Sequence, residues 1–148
     1  MANQFRLEKV LKIREKEKDL SEIEFANAQQ RFESAARALY DLLKRKEELE
    51  KQVEHQMRIG IQADAIRRYN LHLQSLQNSI ARQQQVVNRT RYDMEQKRKI
   101  IVHRSVEVKK YQRLKEKHAE KTATERKREE ARQLDELSIL KLGERYGV

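Results

Sequence analysis

The side chains best able to do chemistry in this 148-residue chain are four histidines, His55, His72, His103 and His118, among 34 basic and 24 acidic residues. A metal site carried on a helix needs two histidines three or four positions apart on one face. None of the four has such a partner, and cysteine is absent, so neither imidazole nor thiolate ligation is expected. Carboxylates are abundant, but acid–base catalysis needs an enclosed site that shifts a pKa and excludes water. With 37% hydrophobic residues and 5% aromatics, the chain is short of material for such an enclosure. A phosphate-cradling loop needs several glycines, and only Gly60 precedes residue 143. The sequence therefore predicts no catalytic residue, no cofactor and no metal. Binding is the remaining activity.

The charge is unevenly placed. Residues 1–81 carry fifteen basic and thirteen acidic side chains, residues 82–132 seventeen and eight, and the last sixteen two and three. Almost all of the +10 excess thus lies in the later part of the chain. A basic helix can meet nucleic acid, anionic lipid or an acidic protein surface. No recognised nucleic-acid reader module is present, and the aromatics are not arranged as a stacking platform. No specific nucleic acid is expected as a partner. The longest aliphatic run is Ile100-Ile101-Val102, far short of a transmembrane segment. The first residues carry charges where a signal peptide needs an apolar core, so a cytoplasmic protein is expected, peripheral to the membrane only through partners.

The elements that must position these charges are helices. Proline is absent, and the three glycines are Gly60, Gly143 and Gly147. In steps of three and four, the first half gives a heptad seam: Leu7, Leu11, Arg14, Lys18, Ser21, Phe25, Ala28, Phe32, Ala35, Leu39, Leu42, Lys46, Leu49, Val53 and Gln56. Around Arg14, Lys18 and Ser21 this seam is polar, and a second stripe, Val10, Ile13, Leu20 and Ile23, competes with it. The second half gives Ile66, Tyr69, Leu73, Leu76, Ile80, Gln83, Val87, Thr90, Met94, Lys97, Ile101, Arg104, Val108 and Tyr111. The two seams are out of phase by one residue across Gly60. A reversal there explains the slip, because glycine can take the left-handed conformation that ends a helix and Asp64 suits the first turn of the next.

The predicted fold class is all-α: a long antiparallel two-helix coiled-coil hairpin with a longer second helix. It is read as one coiled-coil domain over 1–148, with helix 1 at about 4–57, a turn at about 58–63 and helix 2 at about 64–141. Residue i should face residue 120 − i, over a paired length of roughly 80 Å. The second seam loses its apolar residues after Tyr111, near where the first helix would run out, so an overhang is expected from about 115. Thirteen of the twenty residues in 113–132 are charged. The overhang ends in an apolar cluster, Leu134, Leu137, Ile139, Leu140 and Leu142, which nothing in the hairpin covers and which is read as a docking tip for a partner groove, with a staple at the helix end as the alternative.

Three segments carry a family resemblance: Phe5-Arg6-Leu7-Glu8-Lys9-Val10-Leu11-Lys12-Ile13-Arg14-Glu15-Lys16-Glu17, the turn Gly60-Ile61 followed by Tyr69, Leu73, Leu76 and Ile80, and Leu134-Asp135-Glu136-Leu137-Ser138-Ile139. In these and in length the chain resembles the flagellar type III export protein FliJ family. The resemblance implies a stalk similar to the central shaft of rotary ATPases. Its paired ends would enter the ring of the flagellar export ATPase hexamer, its turn end would reach the cytoplasmic domain of the membrane export gate, and it would handle export chaperones. Ring contact would then fall to Phe5, Arg6, Leu7, Lys9 and Arg14 and to Lys109, Arg113, Lys117 and Arg126. Gate contact would fall to Leu42, Leu49, Tyr69, His72 and Leu76. Family members often carry an aromatic where this chain has His72, and the heptad seam assigns the other four gate residues to packing. The alternatives left by the residues alone are a generic cytosolic coiled-coil scaffold or adaptor and a basic nucleic-acid-binding coiled coil.

Overall fold

The computed structural model describes the backbone of residues 2–147 and the side chains of residues 6–147. Two helices make up the described residues, α1 (Ala2–Ile59, 58 residues) and α2 (Ala63–Arg145, 83 residues), with no strand among them. This is the all-α hairpin with the longer second arm that the heptads lead to.

The break between the helices is made by backbone chemistry. Gly60 has φ 101°, and its N–H donates to the carbonyl of Gln56 at 3.1 Å, closing the last turn of α1. The carbonyl of Gln62 then accepts from Ala65 N and Ile66 N at 3.1 and 3.2 Å, which starts α2. Asp64 places its carboxylate in the first turn, where the helix dipole favours negative charge.

Packing divides into two units, one of residues 19–103 and one of residues 1–18 with 104–148. In the turn-bearing unit, every seam position of both helices is buried or half-buried. Ser21, Ala28 and Ala35 are buried at seven-residue spacing, Ala28 to 1% exposure, and alternate with the half-buried Phe25, Phe32 and Leu39. Guanidiniums of Arg98 and Arg91 reach across from α2 to lie 5.8 and 5.5 Å from the ring centroids of Phe25 and Phe32. The Gln83 amide donates to the Ala35 carbonyl at 3.0 Å, and Arg31–Asp93 and Lys97–Glu24 pair at 3.3 and 3.6 Å. The residue numbers of these partners total between 118 and 124, close to the expected 120.

In the other unit, Leu11 and Val108 are buried, and Leu7, Arg14, Lys18, Arg104, Tyr111, Lys115 and His118 are half-buried. Lys115 pairs with Glu8 at 3.5 Å and Arg104 with Glu17 at 2.8 Å. From Ala119 to Leu142 every side chain is exposed. The structure also decides between the competing stripes near the N-terminus. Of the competing stripe Val10 is half-buried, but Ile13, Leu20 and Ile23 are exposed, Leu20 to 61%, while the polar Arg14, Lys18 and Ser21 occupy the seam. The polar register persists because charge partners are available at it: Glu17 holds both Arg14 and Arg104.

Candidate partner-binding surfaces

Beside the turn, α1 and α2 leave two grooves. Leu49, Gln52, Ala65, Arg68, Tyr69 and His72 line one of about 470 Å³. Leu49, Val53, Met57, Tyr69, Asn70 and Leu73 line another of about 200 Å³, rimmed by Glu50 and Glu54. Leu49 and Tyr69 belong to both, so they pack between the helices while their edges reach both surfaces. The five residues assigned to gate contact therefore divide: His72 is exposed, Leu49 and Tyr69 line the grooves, and Leu42 and Leu76 are held in the seam. Arg68 gives one groove a cation, and the carboxylates give the other an acidic rim, with Glu54 tied to Arg58 at 2.9 Å.

The residues assigned to ring contact divide as well. Glu17 Oε2 accepts from Arg14 Nη1 at 3.0 Å and from Arg104 Nη1 at 2.8 Å. The Arg14 guanidinium also lies 5.8 Å from the Tyr111 ring centroid. Hydrogen bonding from Arg14 holds the Glu17 carboxyl below the usual carboxylate range, against desolvation, with Arg104 adding its charge. Hydrogen bonding to Glu17, then to Tyr111, raises the Arg14 guanidinium further above its already high range. Arg14 Nε is buried with no hydrogen-bond partner. Arg14 is thus a seam residue engaged within the hairpin. Leu7 is half-buried in the same seam, while Arg6 and Lys9 are exposed. Phe5 lies outside the residues whose side chains are described.

On α2, Lys109, Arg113, Lys117 and Arg126 are all exposed. The first three share one helical face with Val106, Lys110 and Leu114, forming a shallow groove with apolar patches and a cationic border. The heptad count missed Val106 and Leu114 because neither falls in the seam. Their spacing of three and four from Lys109, Lys110 and Lys117 was the available signal. The Glu17 bridge was missed too, although Arg14 is its i−3 neighbour and Arg104 stands opposite in the antiparallel pairing.

Leu134, Leu137, Ile139 and Leu140 are exposed, with Leu142 and Tyr146 beside them. At helical spacing, Leu134, Leu137 and Leu140 fall on one side of α2, and Ile139 and Leu142 on the other. Among the described residues, no group of three or more His, Asp or Glu is arranged to hold a metal ion, and no helix is long and apolar enough to cross a membrane.

The model of the family described as flagellar FliJ protein matches residues 3–145. The flagellar FliJ protein of Bacillus subtilis (strain 168) is 35% identical over 139 residues, covering 94% of this chain and 95% of its relative. No solved structure matches. With the match spanning both helices and the turn, the chain belongs to the flagellar FliJ family and is a component of flagellum biogenesis and protein export.

Proposed function

We propose that the chain acts as a stalk of the flagellar export apparatus, engaging the export ATPase hexamer with the unit that holds both termini. On this reading the turn end contacts the cytoplasmic domain of the membrane export gate, and the protein also handles export chaperones. It works in the cytoplasm and reaches the membrane only through its partners. It performs no catalysis of its own.

The observation that carries the reading is the difference in chemistry between the two units. The terminal unit presents a run of exposed cations on α2, from Lys109 through Arg126, and an exposed apolar tip. The turn-bearing unit presents grooves lined by Leu49 and Tyr69 with His72 at the edge of one. A hairpin with two chemically distinct binding regions suits a protein that links two assemblies. Arg6, Lys9, Lys109, Arg113, Lys117 and Arg126 are the ring-facing residues on this reading, while Arg14 and Leu7 support them from the seam. His72, Leu49 and Tyr69 are the gate-facing ones, with Leu42 and Leu76 fixing their positions.

The test is a pull-down and steady-state ATP hydrolysis assay with purified hexameric export ATPase. The wild-type chain should bind and change the hydrolysis rate. A chain carrying Lys109→Glu, Arg113→Glu and Lys117→Glu should retain its helicity and lose binding at least tenfold. Absence of binding by the wild type would favour a generic coiled-coil scaffold instead.

A further inference from the structure

The interhelical ion pairs of the terminal unit leave one face of α2 without acidic partners. Lys115 takes Glu8, and Arg104 takes Glu17 together with Arg14. These pairs draw the nearby carboxylates of α1 toward the seam. On the outward face, Lys109, Lys110, Arg113 and Lys117 form no ion pair among the described residues, and Lys110 only lies beside the ring of its neighbour Tyr111 at 5.9 Å. Between these cations Val106 and Leu114 are open to solvent, 58% and 41% exposed. Together the six line a groove running along about three turns of the helix.

We propose that this groove binds an acidic amphipathic α-helical segment of a partner protein, which lays its apolar edge over Val106 and Leu114 and brings carboxylates to the four cations. Charge complementarity and the spacing of the cations select this occupant. Lys109, Lys110, Arg113 and Lys117 are separated by one, three and four residues, so a helix lying alongside, with acidic residues at three- and four-residue spacing, meets each in turn. An anionic membrane is a poorer match. Interfacial helices bury a broad face of large apolar side chains, whereas Val106 and Leu114 are the apolar members among the six residues that line this groove and the other four are cations, while the opposite face of α2 is occupied by α1. Nucleic acid is a poorer match too, because Tyr111, the aromatic of this stretch, is turned into the seam and the groove offers no base a stacking surface.

The inference deepens the ring-docking reading by giving the chemistry of the segment that would dock there, and it can be tested without the ring. The probe is a labelled synthetic helical peptide of about 20 residues, with leucines at three- and four-residue spacing flanked by glutamates, titrated with the full chain and followed by fluorescence anisotropy. Polyglutamate, phosphatidylserine-containing vesicles and a double-stranded DNA oligonucleotide are titrated in parallel. The peptide should bind more tightly than all three. Arg113→Glu with Lys117→Glu should weaken it about tenfold, and Val106→Ser with Leu114→Ser about fivefold. Lys127→Glu with Arg128→Glu changes the net charge equally but lies further along α2, and it should cost less than about twofold. Circular dichroism confirms that each variant is folded. An equal loss from the Lys127 and Arg128 pair, or tighter binding to vesicles, DNA or polyglutamate, would overturn the proposal. Peptide binding without ATPase binding would leave the groove assignment standing and remove the ring reading. ATPase binding with no binding of the peptide would leave the ring reading standing and remove the groove assignment.

Discussion

Two leucines five residues apart on α2 offer a direct measure of how far the seam supports the fold. Leu76 is 9% exposed and sits in the seam, whereas Leu71 is 61% exposed on the outer face. Leu→Ala removes three carbons, each worth about 0.8 kcal/mol when buried, so truncating Leu76 should lose about 2 kcal/mol. The cavity contribution that raises such costs in globular cores is small here, because a two-helix seam lies open to water along its edges. Truncating Leu71 should cost less than about 0.5 kcal/mol, since little apolar area is lost and alanine is the better helix former. The assay is urea unfolding followed by circular dichroism at constant slope. At equal denaturant, Leu76→Ala should lower the folded-to-unfolded ratio about 30-fold and Leu71→Ala by little more than twofold. Equal losses from the two, or no loss from Leu76→Ala, would refute the assignment of this stripe as the packed one.

The remaining expectations concern the turn, a charge cluster, an interhelical ion pair and the exposed apolar cluster near the end of α2. Gly60→Ala should destabilise the hairpin by about 1–2 kcal/mol in thermal melts, because φ is positive and a Cβ there meets nothing, so the cost is backbone strain alone. Since Glu17 titrates below its unfolded value, its contribution to stability is present above the ordinary carboxylate pKa and is lost as pH falls through the lowered folded value. Urea melts from neutral to acidic pH should therefore show a steeper acid loss for wild type than for Glu17→Gln. Replacing the half-buried Lys97, whose partner Glu24 is exposed, by Met should change stability by less than about 1 kcal/mol in either direction, by the same melts. Leu137→Ser with Leu140→Ser should leave the melting curve within about 0.5 kcal/mol of wild type, because both side chains are exposed in the hairpin alone.

Much of this architecture is legible in the heptads. A three-four pattern broken once at Gly60, in a chain without proline, leaves a helix pair as the economical arrangement, and the phase slip between Gln56 and Ile66 points to reversal. The polar start of the first seam was harder to read. Ile13, Leu20 and Ile23 are more hydrophobic than Arg14, Lys18 and Ser21, and local apolarity alone would choose the wrong face. What decides it is long-range: Arg104 and Tyr111, some ninety residues away in sequence, supply partners that no local window contains. The surfaces were less legible still. A seam count sorts residues into packed and unpacked, and it gives no reason to single out Val106 or Leu114, whose interest comes from the unpaired cations around them. The family resemblance puts His72 and Leu76 in one patch, but the seam contains Leu76 and not His72, and the structure buries the first of these and exposes the second.

The pairing of the two seams within one molecule is tested most directly by cross-linking across the hairpin. The native chain has no cysteine, so Ala35→Cys with Gln83→Cys introduces the only thiols, at positions joined by the Gln83 side chain's hydrogen bond to the Ala35 carbonyl. Treated at low protein concentration with a short bis-maleimide and analysed by mass spectrometry, the variant should give an intramolecular link between the two positions in a monomer. Cross-links found only between separate chains would contradict the antiparallel hairpin.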